Sequence, residues 1–309
     1  MDAEFNGTYI TLGGYVELDK YRYLYFISLL MLYILILCAN CTIICLIWIH
    51  RNLHEPMYIF IAALSFNSVL FSTAIYPKIF TDILSQKQTI SYSACMFQNF
   101  TFYSLGGSDF FLLAVMAYDR YVSICRPLQY STIMGNITVT VLLTVAWFLP
   151  ASQLAVGIVF SSKQKLCDFT IGGIFCNNKM FKLHCVKSTF LIVYGFVVLL
   201  NAVVVPVIFI LFTYIKIFII TYHSCAEVRK KAAETCLPHL MVLMCFFCLC
   251  IFDFITGRIE SDMPKSVHLI MALEVVVSNP LFNPIIYGVK MKEISKHIKK
   301  LLCQVKHMK

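Results

Sequence analysis

The strongest constraint on the fold is a series of long runs that carry no charged side chain. Five runs lack Asp, Glu, Lys and Arg altogether, and they are Tyr23–His50, Pro56–Pro77, Leu128–Ser162, Ser188–Ile215 and Thr235–Phe252. Two further apolar stretches hold an acid in their interior: about 95–124, with Asp109, and about 264–289, with Glu274. Each run is close to or longer than the roughly 18–20 residues that a membrane-spanning helix needs. The sequence therefore predicts seven transmembrane helices.

The composition excludes a soluble fold of the same size. Only 13% of the 309 residues are charged, against about 25% in a typical soluble domain, so a soluble bundle would lack polar residues to cover it. Membrane β-strands alternate apolar and polar residues, whereas these runs are apolar throughout. We predict a single all-α membrane domain, with an extracellular tail at 1–22, a seven-helix bundle at 23–289 and a cytoplasmic tail at 290–309.

The distribution of charge predicts the orientation in the membrane. With the N-terminus outside, the cytoplasmic side holds more than half of the Lys and Arg residues and all of the formal net charge of +9. This bias follows the positive-inside rule, and we expect a multi-pass plasma-membrane protein whose first helix is the insertion signal. The positive charge therefore indicates topology and contact with membrane lipids. Binding to nucleic acid is not expected, because no basic surface with interleaved aromatic residues is present.

Four of the 14 cysteines lie on the predicted outer side. Cys95 begins the third helix, and Cys167, Cys176 and Cys185 share the long loop before the fifth helix. In an oxidising compartment four thiols predict two disulfides, for which three pairings exist. Zinc is the competing interpretation, disfavoured because the four include no C-x-x-C pair and have one nearby histidine, His184. Most of the other cysteines lie in predicted helices, where we expect them to pack as small apolar residues.

The two ends of the chain carry weaker signals. Asn6 begins an N-glycosylation acceptor sequence on the outer side and is predicted to be modified. Asn99 and Asn136 also begin such sequences, but they fall inside a helix and on the cytoplasmic side, so we expect no modification there. Lys290–Leu302 has an amphipathic pattern that predicts a helix on the inner leaflet, with a disordered basic tail as the alternative. Cys303 is either palmitoylated or a free thiol.

Two motifs at the inner ends of helices predict a conformational switch. Asp119-Arg120-Tyr121 lies near the end of the third helix, where an arginine is costly unless it is paired. Asp119 can hold Arg120 until the helices separate; a simple interfacial charge anchor is the alternative. In the last helix, the proline of Asn283-Pro284-Ile285-Ile286-Tyr287 bends the chain and frees a backbone carbonyl. Asn283 and Tyr287 offer polar groups that can change partners.

With their flanking residues, these motifs resemble those of the rhodopsin-like G-protein-coupled receptors, and within them the odorant receptors. The stretch Met116–Tyr130 reads MAYDRYVSICRPLQY, similar to the family's M-A-Y-D-R-Y-V-A-I-C-x-P-L-x-Y. Leu53–Tyr58, Lys231–Leu240 and Pro280–Tyr287 are similar to further family motifs. The resemblance covers nearly the whole chain, and the second helix is similar in style to that of fish odorant receptors.

The resemblance implies function as well as fold. It implies a Cys95–Cys176 disulfide between the third helix and the outer loop, and a Cys167–Cys185 disulfide within that loop. It implies a receptor that binds a small-molecule odorant and activates a heterotrimeric G protein of the stimulatory, olfactory type, raising cyclic AMP. No cofactor, metal ion or enzymatic activity is implied. The residues that match the family's G-protein switch are Asp119, Arg120, Tyr121, Tyr214, Asn283, Pro284 and Tyr287.

The chain departs from the family pattern at a few positions. Ser68 stands where an aspartate is usual in the second helix, which puts a sodium site in doubt. Asp109 stands where odorant receptors usually have glutamate, and we expect it to join a polar network inside the bundle. Pro238 replaces a usual serine and predicts a kink, and Phe247 replaces a common tyrosine.

The family's ligand pocket lies in the outer half of the bundle. The residues that match it are Phe102, Tyr103, Gly106, Gly107, Phe247, Phe254 and Arg258, and helix packing is the alternative role for the aromatic ones. Aromatic walls with few polar groups suit a small, partly apolar ligand. Arg258, with Lys179 in the outer loop, suggests an anionic odorant, unless Asp253 neutralises the arginine.

Two other functional classes are weaker. A rhodopsin-like receptor for a lipid or peptide is the main alternative, and the Met116–Tyr130 signature argues against it. A transporter would show inverted repeats or broken helices in matching halves, and none is evident. An enzyme is disfavoured because G-x-S-x-G, H-E-x-x-H and P-loop motifs are absent from the sequence.

Overall fold

The computed structural model describes residues 9–222, 236, 240, 243–244, 246–255 and 264–307. Among them, six helices are long and apolar enough to cross a membrane: α1 (Leu18–Ile49), α2 (Pro56–Leu84), α3 (Tyr92–Cys125), α4 (Asn136–Ser162), α5 (Thr189–Tyr222) and α7 (Lys265–Lys290). The shorter apolar helix α6 (Phe246–Ile255) overlaps the sixth predicted span and continues three residues past its end at Phe252. The fold is a bundle of seven transmembrane helices, as the sequence predicted.

Several helices, α1, α2, α3 and α5, extend beyond the runs that predicted them, whereas α4 begins eight residues after the start of its run. α1 begins at Leu18 and not at residue 23, so the bundle begins inside the predicted tail. A charge-free run ends at its first ionic residue, whereas a helix continues where such side chains pair or reach water. Arg22 Nη2 donates to Asp19 Oδ1 at 2.8 Å in the first turns of α1. Where α3 begins, Ser91 Oγ accepts from the Ala94 amide at 3.4 Å and caps the helix.

α3 is the central helix of the bundle and packs against α2, α4 and α5. Phe110 of α3 stacks on Phe246 of α6, with ring centroids 4.7 Å apart. Gly107 brings α3 and α4 close together, because a Cβ there would lie only 2.9 Å from Pro150 Cβ. Side chains on α3 can therefore reach several neighbouring helices.

α5 contains a π-helical segment, Leu200–Val204, next to Pro206. Proline has no amide hydrogen, so Pro206 cannot complete the bond to the carbonyl of Ala202, and the wider turn absorbs the mismatch. The segment presents Ala202 and Val203 to the bundle interior, where both are buried.

The predicted amphipathic helix after the last span is present as α8 (Lys292–His307). Ile294 is fully buried, while Lys296, Lys299 and Lys300 are exposed on the other face. His297 contacts His50 at the C-terminal end of α1, with ring centroids 3.8 Å apart. These contacts dock α8 against the bundle. The side chain of Cys303 lies outside the described residues, as does the predicted kink at Pro238.

A small sheet was not predicted, and it lies at the end of the bundle that the charge distribution predicts to be outer, which we call the outer side. β1 (Tyr9–Leu12) lies between β2 (Thr89–Ser91), to which it is antiparallel, and β3 (Thr170–Ile171), to which it is parallel. Just after β1, Gly14 passes so close to Gly173 that an added Cβ would lie 2.4 Å from that residue's carbonyl carbon. The tail thus joins the two outer loops into one cap. Asn6 lies outside the described residues.

Candidate functional site

A large cavity opens in the outer half of the bundle. It is enclosed mainly by α3, α4, α5, α6 and the outer loop between α4 and α5, and it contains about 1080 Å³ of unfilled space including its mouth. Its inner end is apolar, formed by residues such as Phe110, Val203 and Phe246. Its outer end carries most of the polar groups, including Asn99, Ser161 and Asp253 on three different helices. A cavity of this kind suits a small ligand with an apolar body.

Most of the pocket residues named from the sequence line this cavity. Phe102, Tyr103, Gly106, Gly107 and Phe254 all form part of its wall. The cavity also has walls that were not predicted, formed by α4, the start of α5 and the outer loop. They include Leu154, Ile158, Ser161, Met180, Phe181, Leu191 and Tyr194.

Phe247 is a correction to the predicted pocket. Of these two neighbouring phenylalanines of α6, Phe246 is the one that lines the cavity. Phe247 packs against the hydrophobic core. Successive helical residues point about 100° apart. The family pattern therefore led to a position one residue away from the side chain that faces the cavity.

Lys179 is a second correction, because it does not line the large cavity. Its Nζ donates to the carbonyl of Gly172 at 2.7 Å, and its side chain borders a smaller neighbouring cavity. Burial lowers the pKa of Lys179, although Asp253 nearby acts in the opposite direction. Arg258, the other predicted basic group, lies outside the described residues.

Asp253 links the outer ends of three elements. The Tyr103 hydroxyl of α3 donates to its carboxylate, and so does Asn177 Nδ2 of the outer loop, at 2.9 Å. The backbone amide of Asn178 then donates to the Tyr103 oxygen at 2.8 Å. These charge-assisted bonds hold α6, α3 and the loop together over the cavity. Asp253 was considered above as a neutralising partner of Arg258, and these bonds show that it has other partners as well.

Both implied disulfides are present on the outer side. Cys95 is bonded to Cys176, and Cys167 is bonded to Cys185. The pairing leaves none of the four as a thiolate for zinc. Gln98 Oε1 accepts from the Cys176 amide at 3.0 Å and adds a second tie between α3 and the loop.

Asp109 is the centre of a buried polar network, as expected from its position within a span. Asn67 Nδ2 of α2 donates to it at 2.7 Å, and Asn279 of α7 donates to its other oxygen. Trp147 Nε1 of α4 donates to Asn67 Oδ1 at 3.0 Å, and Asn283 Nδ2 donates to Asn279 Oδ1 at 3.0 Å. Four helices are thereby joined at one depth. Ser68 is not part of it, since its hydroxyl donates to the carbonyl of Leu64.

The predicted pair of Asp119 and Arg120 is not formed. Asp119 Oδ1 accepts from the Tyr130 hydroxyl at 2.8 Å, and no Asp119–Arg120 ion pair is present among the described residues. Neighbouring residues on a helix do not face each other, so the acid points to the inner loop and the arginine points elsewhere. Burial, with Asp119 contributing, raises the pKa of Tyr130, so the phenol keeps the proton that it donates.

Other predicted switch residues lie within electrostatic range of Arg120, namely Tyr214 of α5 and Tyr287 of α7. Tyr287 is buried, and its hydroxyl lies 4.0 Å from Met116 Sδ. Pro284 lies inside α7, one turn before Gly288. Tyr121 packs against the same hydrophobic core. The charge of Arg120 on α3 therefore acts on phenols of two other helices.

Comparison with known proteins decides the family. The sequence profile of the olfactory receptor family matches residues 29–305. The chain belongs to the olfactory receptor family. Olfactory receptor 10K1 of Homo sapiens is 33% identical over 299 residues, covering 94% of this chain and 93% of the relative. Olfactory receptor 3A3 of Pan troglodytes is 34% identical over 295 residues (94% and 92%), and Olfactory receptor 51E1 of Homo sapiens is 31% identical over 306 residues (98% and 96%).

Membership of the olfactory receptor family settles the broad function. The chain is a multi-pass membrane receptor of the rhodopsin-like class that receives odorants and couples to a G protein, and it is not an enzyme. Within this olfactory receptor, the site residues that sequence reasoning missed are mainly Asn99 and the α4 and α5 walls. Asn99 could have been found, because it precedes Phe102, Tyr103 and Gly106 by three, four and seven residues and so shares their helix face.

Proposed function

We propose that this olfactory receptor binds a small, mainly apolar odorant in the outer cavity and activates a stimulatory, olfactory-type G protein, which raises cyclic AMP. The cavity carries the proposal: its walls are mostly aromatic and aliphatic, and it lies under a loop fixed by two disulfides. The N-terminus is outside and the C-terminus is cytoplasmic in this proposal. That orientation puts the disulfides in an oxidising compartment and the lysines of α8 next to anionic lipid.

The inner cluster is the proposed point of G-protein control. Arg120 of α3 acts electrostatically on Tyr214 of α5 and Tyr287 of α7, so its charge is felt by three helices that can separate. Movement of one helix would release the guanidinium towards a partner. Asp119, bound by Tyr130, holds the inner loop against α3. The remaining members of the proposed switch are Tyr121, Asn283 and Pro284.

The anionic odorant is a narrower hypothesis. It depends on Arg258, which lies outside the described residues, because Lys179 is turned away from the cavity. The charged residue in the described walls is the acid Asp253. These walls favour a neutral ligand over an anion. Unchanged responses of Arg258→Ala to every active acid would exclude the anionic hypothesis.

Cyclic AMP measured in cells that express the receptor with an olfactory-type G protein tests the proposal. Arg120→Ala should abolish odorant responses without reducing the amount of receptor at the surface. Arg51→Ala is the matched control, since it removes an exposed positive charge from the inner side outside the cluster. Retained responses in Arg120→Ala would contradict the switch. A wild-type receptor at the surface that answers no odorant class would contradict the coupling.

A further inference from the structure

Glu274 is one of the two acids inside the apolar stretches, and it has no basic partner among the described residues. The other acid, Asp109, is 1% exposed and accepts hydrogen bonds from Asn67 and Asn279. Glu274 is exposed on α7. The hydroxyl of Ser278, one turn along the same helix, donates to Glu274 Oε1, and no ion pair joins this carboxylate to a basic group in the described part of the chain. The bundle therefore encloses one acid and leaves the other on its surface.

Glu274 lies in the middle of a stripe that faces away from the bundle. Ile270, Phe282 and Ile285 are exposed on the same face of α7, since at about 100° per residue they lie within about 80° of Glu274 around the helix. Neighbouring Val275 lines both outer cavities, and Glu274 lines neither of them. We call Ile270, Glu274, Phe282 and Ile285 the α7 stripe. In a spanning helix this stripe faces the lipid.

Glu274 is too deep in the membrane to reach water. It lies nine residues from the start of α7 at Lys265, which is about 13 Å along the helix at 1.5 Å per residue, and it lies further still from the inner end. Glutamate lacks the long stem with which Lys and Arg reach the interface. A carboxylate in lipid is costly, so acids inside spans normally pair with another group. A partner from another molecule would remove this cost.

We propose that the α7 stripe is a docking surface for the transmembrane helix of another membrane protein, and that this helix carries a lysine or arginine at the depth of Glu274. The basic side chain pairs with the Glu274 carboxylate. Apolar side chains of the partner pack against Ile270 on the outer side of this pair and against Phe282 and Ile285 on its inner side. In lipid such a pair replaces two separately costly charges. The inference goes beyond odorant binding and G-protein coupling and does not depend on them.

A second copy of the receptor does not fit this role. The five charge-free runs contain no basic group, and the other two stretches carry theirs near their ends, at Arg120 and Lys265. Two copies that met through the same surface would place one Glu274 against the other, and like charges repel. Charge complementarity therefore selects a different protein, with a basic residue inside its span.

Single-span probe helices test the proposal directly in the membrane. The probe is a leucine-rich helix of about 20 residues with one lysine placed one turn outward of its centre, and matched probes carry leucine or glutamate at that position. Energy transfer between fluorescent labels on the probe and on the receptor is measured in cells at equal surface amounts. The wild-type receptor should give more transfer with the lysine probe than with the leucine probe. Equal transfer would overturn the proposal, and this comparison needs no receptor variant.

Substitutions in the receptor locate the contact. Glu274→Gln keeps the shape of the side chain and removes its charge, so transfer with the lysine probe should fall to the level of the leucine probe. Glu274→Lys should reverse the preference towards the glutamate probe, whereas Asp109→Asn, which removes the buried acid, should change nothing. Ile270→Ala should also lower the transfer, and Ile208→Ala is its matched control on α5, because the two isoleucines are 62% and 60% exposed. Unchanged transfer in Glu274→Gln, or equal effects of the two isoleucine variants, would contradict the docking surface.

Thermal unfolding of the purified receptor separates docking from a role inside the bundle. Glu274→Leu should leave the apparent Tm unchanged or raise it, because Ser278 can donate to a backbone carbonyl one turn back instead. Asp109→Leu should lower it, because the amides of Asn67 and Asn279 lose their acceptor. An equal fall in Glu274→Leu would assign the carboxylate to the receptor's own packing and overturn the proposal. Odorant responses are not measured in these experiments, so the receptor function stands with either result.

Discussion

The adjacent glycines of α3 give a matched pair for testing the packing of the bundle. In Gly107→Ala the new Cβ would lie 2.9 Å from Pro150 Cβ and 3.4 Å from its Cγ. Carbon atoms at rest are about 3.5–4.0 Å apart, so α3 and α4 must separate by more than half an ångström, or Pro150 must shift. Overpacking of this kind costs about 1–3 kcal/mol. Gly106→Ala has the same helix-favouring effect with no atom in the way.

The two variants are compared by thermal unfolding of purified receptor in detergent, at one heating rate because such unfolding is irreversible. Relative to Gly106→Ala, Gly107→Ala should lower the apparent Tm by roughly 2–6 °C, taking about 2 °C for each kcal/mol in a chain of this size. It should also reduce the fraction of receptor that reaches the cell surface. Equal Tm values for the two alanine variants would refute the close approach of α3 and α4 at Gly107.

Two further predictions concern buried polar groups. Asp109→Leu should lower the apparent Tm more than Asp109→Asn, because it leaves the Asn279 amide without its acceptor, at a cost of about 1–3 kcal/mol; equal effects would contradict the network. Burial lowers the pKa of His184 in the outer loop, so below a pH of about 6.5 the unfolded chain binds more protons than the folded one and stability falls as pH decreases. Thermal scans on either side of that pH should show the loss, and His184→Gln should reduce it; an unchanged pH dependence in this variant would contradict the assignment.

The sequence predicted the bundle because lipid imposes a simple rule on composition. A spanning helix must be apolar over its whole length, so charge-free runs locate it, but they do not locate its ends. α1 continues outward through Asp19 and Arg22, which pair with each other. The outer sheet could not be predicted, because β1, β2 and β3 are only two to four residues long and come from distant parts of the chain.

The site was predicted where a residue's role follows from its depth in the membrane. Asp109 is an example, since an acid inside a span needs partners and the structure supplies Asn67 and Asn279. Prediction failed where a residue's role depends on the direction in which its side chain points from the helix. Asp119 and Arg120 are neighbours in sequence and point apart, and Phe247 is one residue from Phe246, which lines the cavity. A residue's depth can be read from its place in the run, but its direction depends on rotation of the helix against its neighbours.

The positions of the cavity residue Asn99 and of Arg120 on α3 restrict how an odorant can act on the G protein. Asn99 and Arg120 lie on the same continuous helix, roughly 32 Å apart at 1.5 Å per residue. A straight helix cannot change its own length, so a signal must pass through motion of a neighbour relative to α3. The contacts of α3 with α6 include the Tyr103–Asp253 bond at the outer end and the Phe110–Phe246 stack deeper in the bundle. All four residues line the cavity, so an odorant that fills it would lie next to both of these contacts.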